Sequence, residues 1–193
     1  MITEIIAKVN FLDFIILIIL IRICYISAKM GLSVEIFKFF GVVFSTYIAL
    51  HYYVAFSDLI QQRFLPEGMS LVFMDFTVFI FLITLVYLCF IGLRSLLLRF
   101  VQLNAVPKIN QYLGLILGVG RGFLLVGLLS FTLVISGVAY LTSSVKHSYL
   151  GNKTFIILPQ TYVWLWSNIF SKFSAKDEFN SVITKTTEKF YHK

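Results

Sequence analysis

Acidic side chains are scarce in this sequence. Nine Asp and Glu stand against sixteen Lys and Arg, and charged residues make up only 13% of the 193. Soluble domains carry about a quarter charged residues, so this supply cannot cover a water-facing surface, and an ordinary soluble domain is excluded. Cysteine is nearly missing. Cys24 and Cys89 each lie inside an apolar run, at a spacing that fits neither a zinc site nor a redox pair, and both read as packing residues. The three histidines, His51, His147 and His192, are too scattered to build a zinc site. Catalytic signatures are missing as well. No HExxH, GxSxG, Walker loop or paired CxxC occurs, and the Gly-x-Gly of "GVGRG" lies in an apolar run with no soluble strand before it. An intramembrane protease needs a Ser–His or Asp–Asp pair at depth, and Asp13 with Asp75 stands in no such setting. These absences predict a protein that is not an enzyme and takes no cofactor or metal ion.

What the chain has instead is apolar length. Hydrophobic residues make up 59% of it, with a mean hydropathy of +0.92. A hydrocarbon core of about 30 Å needs roughly 20 helical residues, and four runs supply them: 11–28, 34–56, 71–93 and 113–141. They are long and apolar on all faces, unlike the short alternating strands of a barrel, and an open strand in lipid would leave its amides unpaired. The expected fold is an all-α membrane protein with about four transmembrane helices. The formal charge of +7 flanks these runs, so it reads as the orienting charge of membrane loops and not as a nucleic-acid footprint. Lys29, Arg94, Arg99 and Lys108 follow spans one and three, which turns those loops toward the cytoplasm and leaves both termini outside. The first span reads as an uncleaved helix and not a signal peptide, since no small-x-small cleavage site follows it and more spans do.

Span order alone sorts the intramembrane charges. Spans two and four begin on one side, so Glu35 and Arg121 share a face of the membrane. Spans one and three begin on the other, with Asp13 and Asp75, and span two ends there with His51, Tyr52 and Tyr53. Arg121 lies in "LGLILGVGRGFLLVGLL". Run 113–141 extends about 43 Å as a helix, too long for an upright span. Counting twenty residues back from Leu141 puts Arg121 at the boundary, where snorkelling is cheaper than central burial. Gly114, Gly118 and Gly122 are spaced by four and align on one face, a small-residue stripe that lets another backbone approach closely; the alternative reading is a hinge beside the charge. Arg121 needs a partner, with Glu35 the best acid on its side and headgroup phosphate the competitor. Arg22 is nine residues from Asp13, about 180° around the helix, so these two cannot pair within it.

Three segments are expected. Residues 1–143 form the transmembrane domain. Residues 144–173 form an interfacial tail, in which Tyr162, Leu165, Trp166, Ile169 and Phe173 share the apolar face of an amphipathic helix lying in the membrane surface. Residues 174–193 are polar and charged, and are expected to be exposed and disordered.

The order of these features resembles the bacterial colicin V production protein family. "FLDFIILIILI" places Asp13 at the head of the first span; "KMGLSVEIFKFFGVVFSTYIALHYY" carries Gly31 and Glu35 four residues apart; and "LGLILGVGRG" is similar to the family's Gly-x-x-x-Gly-x-x-Arg-Gly element through Gly114, Gly118, Arg121 and Gly122. The stretch from Ser144 to Pro159 is similar to the family's segment after the last span, and the resemblance covers roughly residues 10 to 165. One departure is that the family commonly has Arg-Gly after span one, where here Lys29 precedes Met30 and Gly31. The resemblance implies a multi-pass protein of the bacterial inner membrane, linked to toxin (colicin V) production or export and to envelope homeostasis, with no assigned catalytic reaction. The partners expected are the lipid bilayer, other membrane proteins or further copies of the chain. A small oligomeric ion or solute channel or transporter is the competing function, motivated by the intramembrane charges and the glycine-rich fourth span.

Overall fold

The computed structural model describes residues 10–64, 70–97, 107–173 and 177–192. Among them no strand occurs. Four helices are long and apolar enough to cross a membrane: α1 (Phe11–Met30), α2 (Leu32–Phe64), α3 (Leu71–Leu97) and α4 (Pro107–Ile135). They are followed by α5 (Ala139–His147), α6 (Tyr149–Phe155) and α7 (Ile157–Leu165). A π-wound stretch, Trp166–Phe170, and a last turn, Ser171–Phe173, continue α7, and α8 (Ser181–His192) closes the chain. The all-α expectation holds.

The long helices stand in the order α1–α4–α2–α3. Helix α1 packs chiefly on α4, α4 on α2, and α2 on α3. The outer pair therefore keep one side free, and the central pair carry the core. Val42, Ala49, Leu50, Val126 and Phe131 are fully buried or nearly so. Helices α5, α6 and α7 pack back on α4, with Phe155, Leu158 and Tyr162 completely enclosed.

The fourth span differs from its expected limits of 113–141. It ends at Ile135, because Gly137 turns the chain with φ +74°, a left-handed conformation that glycine adopts without a Cβ clash. It begins at Pro107, whose fixed φ and missing N–H suit the first helical position. Arg121 is therefore fourteen residues from each end of α4, at its centre and not at the boundary.

Two further differences lie in the C-terminal part. The amphipathic segment is helical, and its apolar face is covered by the bundle. The register of that face changes partway. Tyr162 and Leu165 are buried as part of it, but Phe173 is 86% exposed and Phe170 takes the inward place, its ring 3.6 Å from that of Tyr47. A π-wound turn holds one more residue than an α turn, so Trp166–Phe170 shifts the inward stripe by one position. The tail expected to be disordered instead contains α8. Its Ile183 and Phe190 are buried, and Phe190 stacks on Phe155 at 4.2 Å. The polar composition concealed a one-sided face of Val182, Ile183, Thr186 and Phe190. Asn180 anchors the start of α8, accepting from the Val182 amide and donating Nδ2 to the Leu50 carbonyl at 2.7 Å. For 174–176 and 193 the expectation lies outside the described residues.

Candidate functional site

The site is built at the corner between α1 and α2. Helix α1 stops at Met30, and Gly31, with φ +74°, redirects the chain into α2. The first amide of α2, Leu32, donates to Asn110 Oδ1 at 2.7 Å, so a side chain of α4 caps α2. The Gly114–Gly118–Gly122 stripe runs along this junction. A Cβ at Gly114 would stand 2.8 Å from the Gly31 carbonyl carbon, one at Gly118 would collide with Ser27, and one at Gly122 would meet Leu20 at 3.1 Å. The stripe is thus occupied by α1 and by the corner after it, and it is not open to another chain.

Close approach of α1 and α4 delivers Ser27 to Arg121, and the corner delivers Glu35. Arg121 Nη2 lies 3.1 Å from Glu35 Oε2 and donates to Ser27 Oγ at 3.3 Å. Lys38 Nζ donates to the other carboxylate oxygen, Oε1, at 2.8 Å. Glu35 has no exposed surface and Arg121 only 6%. Side chains on a helix lean toward its N-terminus, so an arginine centred on α4 can meet a carboxylate in the first turn of α2. The group holds one carboxylate and two cations. It is a tether: the carboxylate has a cation beside each oxygen and no exposed surface.

A second junction forms around Asp13. Asn10 and Asp13 make a reciprocal cap on α1: Asn10 Oδ1 accepts from the Leu12 amide at 2.6 Å, and Asp13 Oδ2 accepts from the Asn10 amide at 2.8 Å. The same carboxylate accepts from Ser148 Oγ at 2.7 Å, the Leu150 amide at 2.7 Å and the Tyr149 amide at 3.3 Å. One side chain therefore caps two helices, α1 and α6, and pins them together. Asn10 Nδ2 adds a bond to the Ser144 carbonyl at 2.8 Å. Hydrogen bonds to a charged group contribute roughly 1.5–3 kcal/mol each, and an amide side chain keeps only part of this acceptor capacity. Asp13→Asn is expected to lower stability by about 1.5 kcal/mol and to speed hydrogen exchange at the Leu150 amide before it does so in α2. Unchanged exchange at Leu150 would contradict the double cap.

The other residues of that end do not join Asp13. The Asp75 carboxylate is bonded by Ser57 Oγ, and His51 Nδ1 shares a 2.9 Å hydrogen bond with Tyr162 Oη. Among the described residues, no three His, Cys, Asp or Glu side chains gather where they could hold a metal ion. Sequence reasoning brought Glu35 and Arg121 to one face but missed Lys38, Ser27 and Asn110. Lys38 carried a legible signal, being three residues after Glu35 on the same helix. The Asn10-x-x-Asp13 spacing likewise signals a cap. Ser27 and Asn110 carried none, because their partners are distant in the chain.

The family model of the colicin V production protein matches residues 12–156. That stretch contains Asp13 with its Ser148 and Leu150 partners, and the whole Glu35–Arg121 junction. No curated protein and no solved structure matches the chain.

Proposed function

Since the chain belongs to the colicin V production protein family, we propose that it is a non-enzymatic, multi-pass protein of the bacterial inner membrane that assists toxin production or export and envelope homeostasis by contacting other membrane proteins. One observation carries this reading. Glu35 is spent on Arg121 and Lys38, and Asp13 on α6, while the outer sides of the two flanking helices expose large apolar side chains, with Arg22 the exposed cation on α1. Phe14 and Ile18 of α1 and Phe81 of α3 are each at least 60% exposed. A layer of helices joined by internal tethers offers two lateral faces to lipid or to a neighbouring protein. The competing channel reading requires charged side chains turned toward a pathway, and Glu35 and Arg121 are turned toward each other.

The test is photo-crosslinking in living cells from residues 18 and 81, with the buried position 126 as control, in cells with and without the toxin genes. We expect a protein adduct from one of the two outer positions that depends on those genes, together with reduced toxin output when Ile18 or Phe81 is changed to Asn. Lipid adducts alone, with toxin output unchanged, would overturn the proposal.

A further inference from the structure

A cavity of about 660 Å³ opens at the end of the bundle where α3 begins and α4 ends. Its walls come from α3, α4, α5 and α8, with Tyr53 of α2. Three charged side chains line it: Asp75 from α3, Lys146 from α5 and Lys189 from α8. Among the described residues none of the three has an ion-pair partner. Asp75 is half-buried and is bonded by the Ser57 hydroxyl. A half-buried carboxylate without a paired cation is costly, and neither lysine of the wall lies within ion-pair distance of it. Val134, Val182 and Phe190 give the same space an apolar lining, and the hydroxyls of Thr142 and Thr186 give it neutral hydrogen-bonding groups.

We propose that this cavity binds a small zwitterion with an apolar body, of amino-acid to short-peptide size, its ammonium on Asp75 and its carboxylate on Lys146 and Lys189. Ligand sites are typically clefts of about 300–1,000 Å³ with apolar walls and a few convergent polar groups, and this one has both. A simple anion would leave Asp75 uncompensated, and a simple cation would leave two lysines so. Only a ligand with both charges satisfies the three groups together. Lys189, Val182, Thr186 and Phe190 lie beyond the family-matched residues 12–156, so this wall is built by the chain's own C-terminal helix. The inference is independent of the proposed contacts of the outer faces.

The experiment uses the full-length protein in nanodiscs of neutral lipid. The probes are the dipeptide leucyl-leucine, its N-acetyl form (no ammonium) and its C-terminal amide (no carboxylate), followed by saturation-transfer NMR and equilibrium dialysis. The zwitterion should bind saturably and at least tenfold more tightly than either blocked form. Asp75→Asn, which keeps an acceptor for Ser57, should erase the advantage over the N-acetyl form. Lys146→Gln with Lys189→Gln should erase the advantage over the amide. Lys189 stands on an exposed side of α8, so Lys189→Gln alone leaves the fold intact and should still weaken the zwitterion several-fold. Equal binding of the three compounds, no saturable binding, or wild-type affinity in Lys189→Gln would each overturn the proposal.

Discussion

Arg121→Met is expected to cost about 3 kcal/mol of stability, the lower end of the roughly 3–5 kcal/mol seen when one member of a buried ion pair is removed. The lower end applies because Lys38 stays 2.8 Å from Oε1 of Glu35, so the abandoned carboxylate keeps one cation. The loss arises from Glu35, not from the missing arginine. A carboxylate with no exposed surface loses the guanidinium at 3.1 Å and has no water to replace it. Glu35→Gln on the Met background should therefore recover most of the stability, since a buried pair replaced by neutral groups is often close to neutral. Arg121→Lys should fall between, because an ammonium restores a cation beside Glu35 but reaches less far and is more strongly hydrated than the guanidinium, whose Nη2 meets both Glu35 and Ser27. The check is a double-mutant cycle on the reconstituted protein, unfolded by denaturant titration. A coupling energy well above about 0.5 kcal/mol, the limit for independent sites, is the expected result. Simple additivity, or a loss below that limit in Arg121→Met, would remove the tether from the account of the fold.

Much of this junction could be read before any coordinates. Counting spans put Glu35 and Arg121 on one side, because two helices that each begin after an odd-numbered crossing begin at the same surface. A period of four put Gly114, Gly118 and Gly122 on one face. Neither argument could say which helix fills the stripe, since spacing describes one surface and not its complement; α1 and the Gly31 corner fill it. The depth of Arg121 was misread for a definite reason. Hydropathy continues smoothly through Gly137 to Leu141, whereas the helix stops where the backbone turns left-handed. The tail was misread because average polarity hides a narrow apolar stripe, and Ile183 and Phe190 suffice to seat α8 against Phe155. Asp13 was legible as a helix-head residue. Its second duty at Ser148 and Leu150 spans more than 130 positions of sequence, and no local pattern reports a contact of that range.

The stripe itself supports a second strong expectation. Gly114→Val should destabilise the protein by about 3 kcal/mol, the upper part of the range for overpacking a filled site, and should do so by prising the α1–α2 corner from α4. At Gly118 the obstacle to a Cβ is the Ser27 side chain, and at Gly122 it is the flexible end of Leu20; both belong to side chains. At Gly114 it is backbone: the carbonyl carbon of Gly31 at 2.8 Å and its Cα at 2.9 Å. Backbone cannot rotate away, and here it is held by the Asn110 cap on Leu32 at 2.7 Å. Any relief at Gly114 must therefore break that cap, and it would also draw Glu35 away from Arg121. Three variants separate this local clash from a general cost of side chains on apolar helices. Gly92→Ala, where a Cβ would meet nothing within 4 Å, should be neutral or stabilising by about 0.5–1 kcal/mol, the gain of replacing glycine in a helix. Gly118→Ala should be destabilising but rescued in part by Ser27→Gly, which vacates the volume. Gly114→Val should resist rescue by any side-chain change on α1. Unfolding titrations of these proteins report the energy, and hydrogen exchange at the Leu32 amide, which Asn110 caps, reports the separation. If Gly114→Val retains both wild-type stability and wild-type protection of the Leu32 amide, the corner is not held against α4 in the way the packing requires.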